Sequence, residues 1–218
     1  MHPLYGEFIS LLSQENKEKC VDFVLSRLSK GELDIATLYD EILAPALNSI
    51  VCEFEDTDIF VWKEHVKSAI VRTIIECCFP HVIRERDARY GGRMGEKVLV
   101  VCPVDEYHEI GAKMVADYFT LCGYDATFVG ANTPGMNIVA AVSDAKPKYL
   151  AISVSNYYNI VAAEKAIAKI REAGHRNLKI IVGGNAFRKN PDEYRRIGAD
   201  MLLQTFEDIK DLRGGGSR

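Results

Sequence analysis

The stretch 97-KVLVVCPVDEYHEIGAKMVADYF-119 decides the fold. Its first part, Val98–Cys102, is apolar at every position. A run that short and that continuous suits a strand buried on both faces, because an amphipathic strand would alternate. A polar loop follows, and Gly111–Leu121 then reads as an amphipathic helix. Working outward toward the C-terminus, the same unit recurs. Strands are expected at Ala126–Val129, Tyr149–Ser153, Lys179–Val182 and Met201–Leu203, with helices at Ile138–Ala145, Val161–Ala173 and Asp192–Ile197. Strands alternating with helices imply βαβ units. The expected fold class is an α/β Rossmann-like (flavodoxin-like) doubly wound parallel sheet.

Working outward the other way, the periodicity changes at the glycine-rich joint Gly91–Gly95. Residues 3–29 carry helically spaced apolar positions at Leu4, Phe8, Leu11, Leu12, Val21, Phe23, Val24 and Leu28, and Gly31 ends that pattern. Asp34 is placed to cap the next helix, with Leu38, Ile42, Leu43, Leu47, Ile50 and Val51 as its buried face. After the acidic run Glu53–Asp58, a helix from about Ile59 to Arg89 follows, and Pro80 is expected to break or kink it. These segments predict an N-terminal helical bundle. The organisation expected is a bundle cap over 1–92, an α/β domain over 93–212 and a flexible tail over 213–218.

The 218 residues carry a net charge of −4, with 48% hydrophobic and 27% charged side chains. That balance is ordinary for a globular chain and gives no support to a nucleic-acid surface. The charge divides at the joint, −6 over residues 1–92 and +2 beyond. An acidic helical half argues further against DNA contact, and no separate helix-turn-helix module is expected before the bundle. No stretch approaches the ~18 apolar residues of a membrane span, and the N-terminus lacks the pattern of a signal peptide. A cytoplasmic location is expected. The six cysteines form no CxxC pair and read as small buried hydrophobes, with the vicinal Cys77–Cys78 the one redox or metal alternative. His81 and His175 read as solvated or core-edge histidines, and Tyr157–Tyr158 as packing at a strand end.

In a doubly wound sheet, ligands bind beyond the carboxyl ends of the strands. The first such loop holds His108, surrounded by Asp105, Glu106 and Glu109. A neutral imidazole ligates transition metals, and a carboxylate behind it fixes its tautomer. Gly111 would let a bulky group approach the backbone. The third strand ends in Ser153-Val154-Ser155 and the fourth in Gly183-Gly184. Taken singly, each of these has a plain structural reading as a turn. Together they stand at successive strand ends and can line one long slot.

This constellation resembles the cobalamin-binding domain family, whose signature is Asp-x-His-x-x-Gly, then Ser-x-Leu or Ser-x-Thr, then Gly-Gly. Here the pieces are Glu106–Gly111, Ser153–Ser155 and Gly183–Gly184, separated by 41 and 27 residues. The resemblance implies that His108 ligates cobalt below a cobalamin (adenosyl- or methylcobalamin), in place of the cofactor's own base. It implies that Glu106 partners His108, that Tyr107, Glu109, Ile110 and Gly111 line the cofactor, and that the displaced nucleotide tail lies against Ser153, Ser155, Gly183 and Gly184. Glu106 stands where the family has Asp, one methylene shorter. In the regulatory branch of the family a helical cap covers the upper face with a Trp and a Glu-His pair. Here the corresponding residues are Phe54 and Glu64-His65, with Val61, Glu64, His65 and Ser68 on one helical face. Glu55 stands where photoreceptor members have a further His. The run GANTP (Gly130–Pro134) is similar to the regulatory branch, where methyl-transfer members have Gly-x-Asp-Val-Pro.

The function this implies is a cobalamin-binding regulatory or light- or ligand-sensing protein, with a base-off, His-on corrinoid between cap and α/β domain. It would be a binding or sensor module rather than an enzyme, working through a protein partner or homo-oligomer. The alternative is a corrinoid methyl-carrier protein of a methyltransferase system. A plain flavodoxin-like interaction module without cofactor is the third reading.

Overall fold

A computed structural model of the chain describes residues 2–50 and 57–214. The chain divides into two compact units, Met1–Glu85 and Arg86–Arg218.

The first unit is helical throughout its described part. Helix α1 (Tyr5–Ser13) and α2 (Lys17–Lys30) form where one continuous pattern was expected. The break falls at Gln14–Asn16, where Glu15 takes a left-handed φ of 55° and the Asn16 side chain accepts the Lys19 N–H at 3.0 Å. An asparagine cap in an apolar gap of the pattern was the signal for it. Gly31, at φ 72°, closes α2 with its N–H bonded to the last turn, as glycine does at helix ends. Asp34 caps the next helix as expected, accepting the Thr37 N–H at 2.8 Å. That helix runs on as α3 (Ile35–Thr37), a π-helical segment (Leu38–Leu43) and α4 (Ala44–Ser49). Pro45, which has no N–H to give, follows the widened turn directly. The stripe Leu38, Ile42, Ala46 and Ile50 is buried, while Leu47 sits one residue off it and is half-buried. Val51 and the acidic run to Asp56 lie outside the described residues.

Helix α5 (Thr57–Arg89) runs on through Pro80, so the break expected there as one of two outcomes, break or kink, does not occur. Its buried positions Ile70, Val71, Ile74, Ile75, Cys78 and Val82 keep strict helical spacing, and Pro80 is exposed.

The second unit is the expected parallel sheet: β1 (Lys97–Pro103), β2 (Asp125–Thr133), β3 (Tyr149–Ser153), β4 (Lys179–Gly183) and β5 (Met201–Leu202), in the order β2-β1-β3-β4-β5. Helices α6 (Ile110–Leu121), α7 (Gly135–Ala145), α8 (Ile160–Glu172), α9 (Glu193–Arg196) and α10 (Phe206–Arg213) complete it. One face buries Leu99, Val101, Leu150, Ile152, Ile180 and Val182 against Ile138, Val142, Ala163 and Ile167 of α7 and α8. A side chain of this kind contributes about 1.5–3 kcal/mol when fully buried. The opposite side is aromatic, with Tyr118 of α6 4.8 Å from Phe206 of α10 and Tyr124 6.0 Å from Tyr149. Helix α10 was not expected from the periodicity. Its signal is a capping box, in which Thr205 and Asp208 each bond the other's backbone N–H.

Strand order reverses between β1 and β3, so the loops leaving these two strands diverge and open a crevice at their carboxyl ends. The Gly183-Gly184 turn lies beside it for a reason internal to the fold. A Cβ on Gly183 would stand 2.5 Å from the Leu203 carbonyl oxygen. On Gly184, at φ 103°, it would stand 2.9 Å from the Val154 carbonyl carbon and closer still to its oxygen. The variant Gly184→Ala should therefore lose stability on the order of 2–4 kcal/mol, from backbone strain together with overpacking. Gly111→Ala, whose Cβ would meet nothing within 4 Å, should gain up to about 1 kcal/mol from the helix preference of alanine. Urea unfolding of the two variants checks the contrast, and equal stabilities would remove this account of the turn.

Candidate functional site

Strand β1 ends at Pro103, and the Glu106 N–H donates to the Pro103 carbonyl at 3.1 Å, closing a tight turn. The Glu106 side chain folds inward and is fully buried. Its two oxygens face different partners. Oε1 stands 2.6 Å from Nδ1 of His108 and accepts the His108 backbone N–H at 3.1 Å. Oε2 accepts the backbone N–H groups of Ser155 and Asn156, at 2.9 and 3.0 Å, and Nδ2 of Asn159 at 3.1 Å. One carboxylate thus ties the loop after β1 to the segment after β3, across the switch point.

Burial pushes the Glu106 carboxyl up, but the donors from Asn156, His108 and Asn159 outweigh it and hold the group below its ordinary value of 4.5. It is therefore an acceptor only, which places the proton of a neutral His108 on Nδ1 and leaves the lone pair on Nε2. The imidazole is 69% exposed. A fixed tautomer, a fixed ring and an open nitrogen are what a metal-ligating histidine needs.

Around His108 the loop presents further open surface. Tyr107 is exposed, and the space over Gly111 is free. Glu109 and Ile110 begin α6 beside them. Ser153 and Ser155 end β3, both half-buried, and Gly183 pairs with Ser153 across the sheet. The structure thus brings Glu106, His108 and the Ser155 backbone into direct contact, with Ser153, Gly183 and Gly184 on the adjoining strand ends. Tyr157 and Tyr158 do not pack as expected. They are 57% and 83% exposed and contact each other edge to face. Their short 3-10 turn is set by the Asn156 cap, which points both rings outward beside the histidine loop.

Three residues of this site were not singled out in the sequence: Asn132, Asn156 and Asn159. Asn132 Oδ1 accepts the Asp105 N–H at 2.9 Å, and the Asn132 N–H donates to the Glu106 carbonyl at 2.9 Å. Asparagine beside a turn or at the start of a helix was the available signal. Cys102, at the end of β1, is buried with its thiol 3.9 Å from the His108 carbonyl oxygen. Burial first, then the charges of Glu106 and Glu109, push that thiol up to about 12.

In the helical unit, Val61 is half exposed, and His65 is 73% exposed and 3.6 Å from Glu64. Glu64 also accepts the Ser68 hydroxyl at 2.9 Å. The Lys63–Glu15 ion pair fixes this part of α5 to the α1–α2 corner. Phe54 and Glu55 lie outside the described residues. Among the described residues, no group of three or more His, Cys, Asp and Glu is placed to hold a metal ion, and no helix is long and apolar enough to cross a membrane.

Comparison with known proteins bears on this geometry. A family profile described as the B12 binding domain matches residues 96–211, more than half of the chain. The HTH-type transcriptional repressor CarH of Myxococcus xanthus is 28% identical over 176 residues, covering 81% of this chain and 56% of that protein. The dimethylamine corrinoid protein of Methanosarcina barkeri is 24% identical over 160 residues, covering 72% of each. Both alignments are too long to fit within residues 96–218, so the similarity reaches into the helical unit. The chain spans just over half the length of the repressors it matches. Among solved structures, the monomethylamine corrinoid protein of Methanosarcina barkeri superposes with a TM-score of 0.79 over 96% of both chains at 15% identity, which is a shared fold.

The folded Glu106 carboxyl lies below its unfolded value, so the stability it contributes is present above that value and lost as pH falls through the folded one. Glu106→Gln turns an amide N–H toward groups that themselves donate, and should cost about 1–3 kcal/mol near pH 7. The gap between wild type and variant should close as pH drops below about 4.5. Chemical unfolding across pH 3–7 reads it, and a gap that widened toward acid would contradict the assignment.

Proposed function

Since this chain belongs to the B12-binding domain family, we propose that it binds a cobalamin with His108 as the lower ligand to cobalt. The observation that carries this reading is the buried Glu106, which engages Nδ1 of an exposed imidazole at 2.6 Å at the switch point and so orients the ring from one side. A single imidazole is one ligand, so it suits a metal that arrives already held in a chelate. Such a corrinoid would supply a redox-active cobalt able to carry an alkyl group. The chain's own part is to hold and orient. Glu106 fixes the imidazole, Gly111 leaves room above the start of α6, and Tyr107, Glu109 and Ile110 border that room. Ser153, Ser155, Gly183 and Gly184 would receive the nucleotide tail. Val61, Glu64 and His65, on an open helix face, are the candidates for the upper side.

The biological role proposed is regulatory or light- or ligand-sensing, acting through a protein partner or self-association. It is supported by the 28% identity to a repressor, by Glu64-His65 and by GANTP. A second reading, a corrinoid carrier between methyltransferases, is favoured by the 24% identity to a dimethylamine corrinoid protein over 72% of its length.

The binding test uses protein labelled with nitrogen-15 histidine and loaded with cob(II)alamin. Electron paramagnetic resonance should show each cobalt line split in two by one nitrogen-15 nucleus, where the cofactor's own base would split it in three. His108→Ala should abolish the doublet. A triplet in the wild type, or a doublet that survives in the variant, would sink the His-on reading. For the role, gel filtration of the adenosylcobalamin complex in the dark and after green light should show a change of assembly. Unchanged assembly together with transfer of a methyl group from a partner methyltransferase would favour the carrier.

A further inference from the structure

The lower-ligand reading leaves open what holds the histidine loop itself. Asp105, the third residue of its turn, sits at φ 66°, a conformation that costs a side-chain-bearing residue. The peptide groups on either side of it are each held by an asparagine. The Asp105 N–H donates to Asn132 Oδ1 at 2.9 Å, and the Asp105 carbonyl accepts from Asn159 Nδ2 at 3.1 Å. The next carbonyl, that of Glu106, accepts the Asn132 N–H at 2.9 Å.

Asn132 reaches this loop because β2 slips twice against β1. Val100 pairs with Phe128, Val101 with Gly130, and Pro103 with Thr133. Extra residues on β2 bulge toward the loop, and Asn132 takes the left-handed conformation there at φ 48°. Asparagine is one of the few residues that adopts it readily. Three strand ends therefore converge on one strained turn. If the turn relaxed to negative φ, the Glu106 carboxylate would leave the Ser155 and Asn156 amides, and His108, two residues on, would move with it.

We propose that Asn132, with Asn159 as its second anchor, is a positioning residue that holds the Asp105 turn so that His108 meets the metal preorganised. This rests on the lower-ligand reading above. The test uses the full chain as Asn132→Gly, which keeps the left-handed backbone and removes the acceptor, and as Asn132→Asp, which keeps an acceptor oxygen. In the apoprotein, amide hydrogen exchange at Asp105 should speed up about tenfold in the glycine variant, as the bond that holds this amide is lost. In the cob(II)alamin complex, the equilibrium for histidine ligation, read from the nitrogen-15 doublet, should weaken about five- to tenfold. The aspartate variant should stay within about twofold of wild type on both readings. Thermal unfolding of the apoprotein separates this from general loss of structure. Should Asn132→Gly not fold, Asn159→Ala releases the other side of the same turn and should lower ligation likewise. Wild-type ligation in the glycine variant, or an equal loss in both Asn132 variants, would overturn the inference. Absence of a doublet in the wild type would instead sink the lower-ligand reading, and Asp105 exchange would still decide whether the clamp exists.

Discussion

A carboxylate buried without compensation is among the costliest groups a fold can contain. In this chain Glu106 is wholly removed from solvent, and the fold provides what keeps it charged. Two backbone amides at the end of β3, one asparagine side chain and both the amide and the ring of His108 converge on its two oxygens. Much of the local architecture follows from this need. The strand order puts the ends of β1 and β3 side by side, and this carboxylate, with the bond from Asn159 to the Asp105 carbonyl, ties the loops that leave them. The ring that emerges from it is oriented by the interior although it stands in solvent.

Side chain and sheet topology therefore divide the labour. The sheet sets where a ligand can enter, and it would do so for any occupant of this fold. The carboxylate–imidazole pair sets which chemistry is offered there. Glu106 reaches both partners from a turn that Asn132 bonds at two backbone groups.

The α/β half was legible because its strands are short, apolar and separated by amphipathic helices. Tyr149–Ser153 falls on the residues expected for it. What escaped was local and polar. The break at Glu15 and the last helix at Phe206 are set by side-chain caps, which are read from residue type rather than from hydrophobic periodicity. Pro80 did not break its helix; it lies on the exposed side of α5, and sequence does not report that facing. In the site, His108 and Glu106 stood out by type and spacing. The asparagines did not, because their role depends on a strand slip that brings Asn132 across from β2 and on the 3-10 turn before α8 that carries Asn159.

Cys102 lies only a few residues before the imidazole, and sulfur is the stronger competitor for soft metals when it is ionised. Burial first, then the charges of Glu106 and Glu109, hold its thiol up to about 12, so it stays protonated near pH 7. The burial that makes Cys102 part of the sheet's core also silences it as a donor. The end of β1 and the loop after it thus present an exposed imidazole and no ionised sulfur, a difference set by packing.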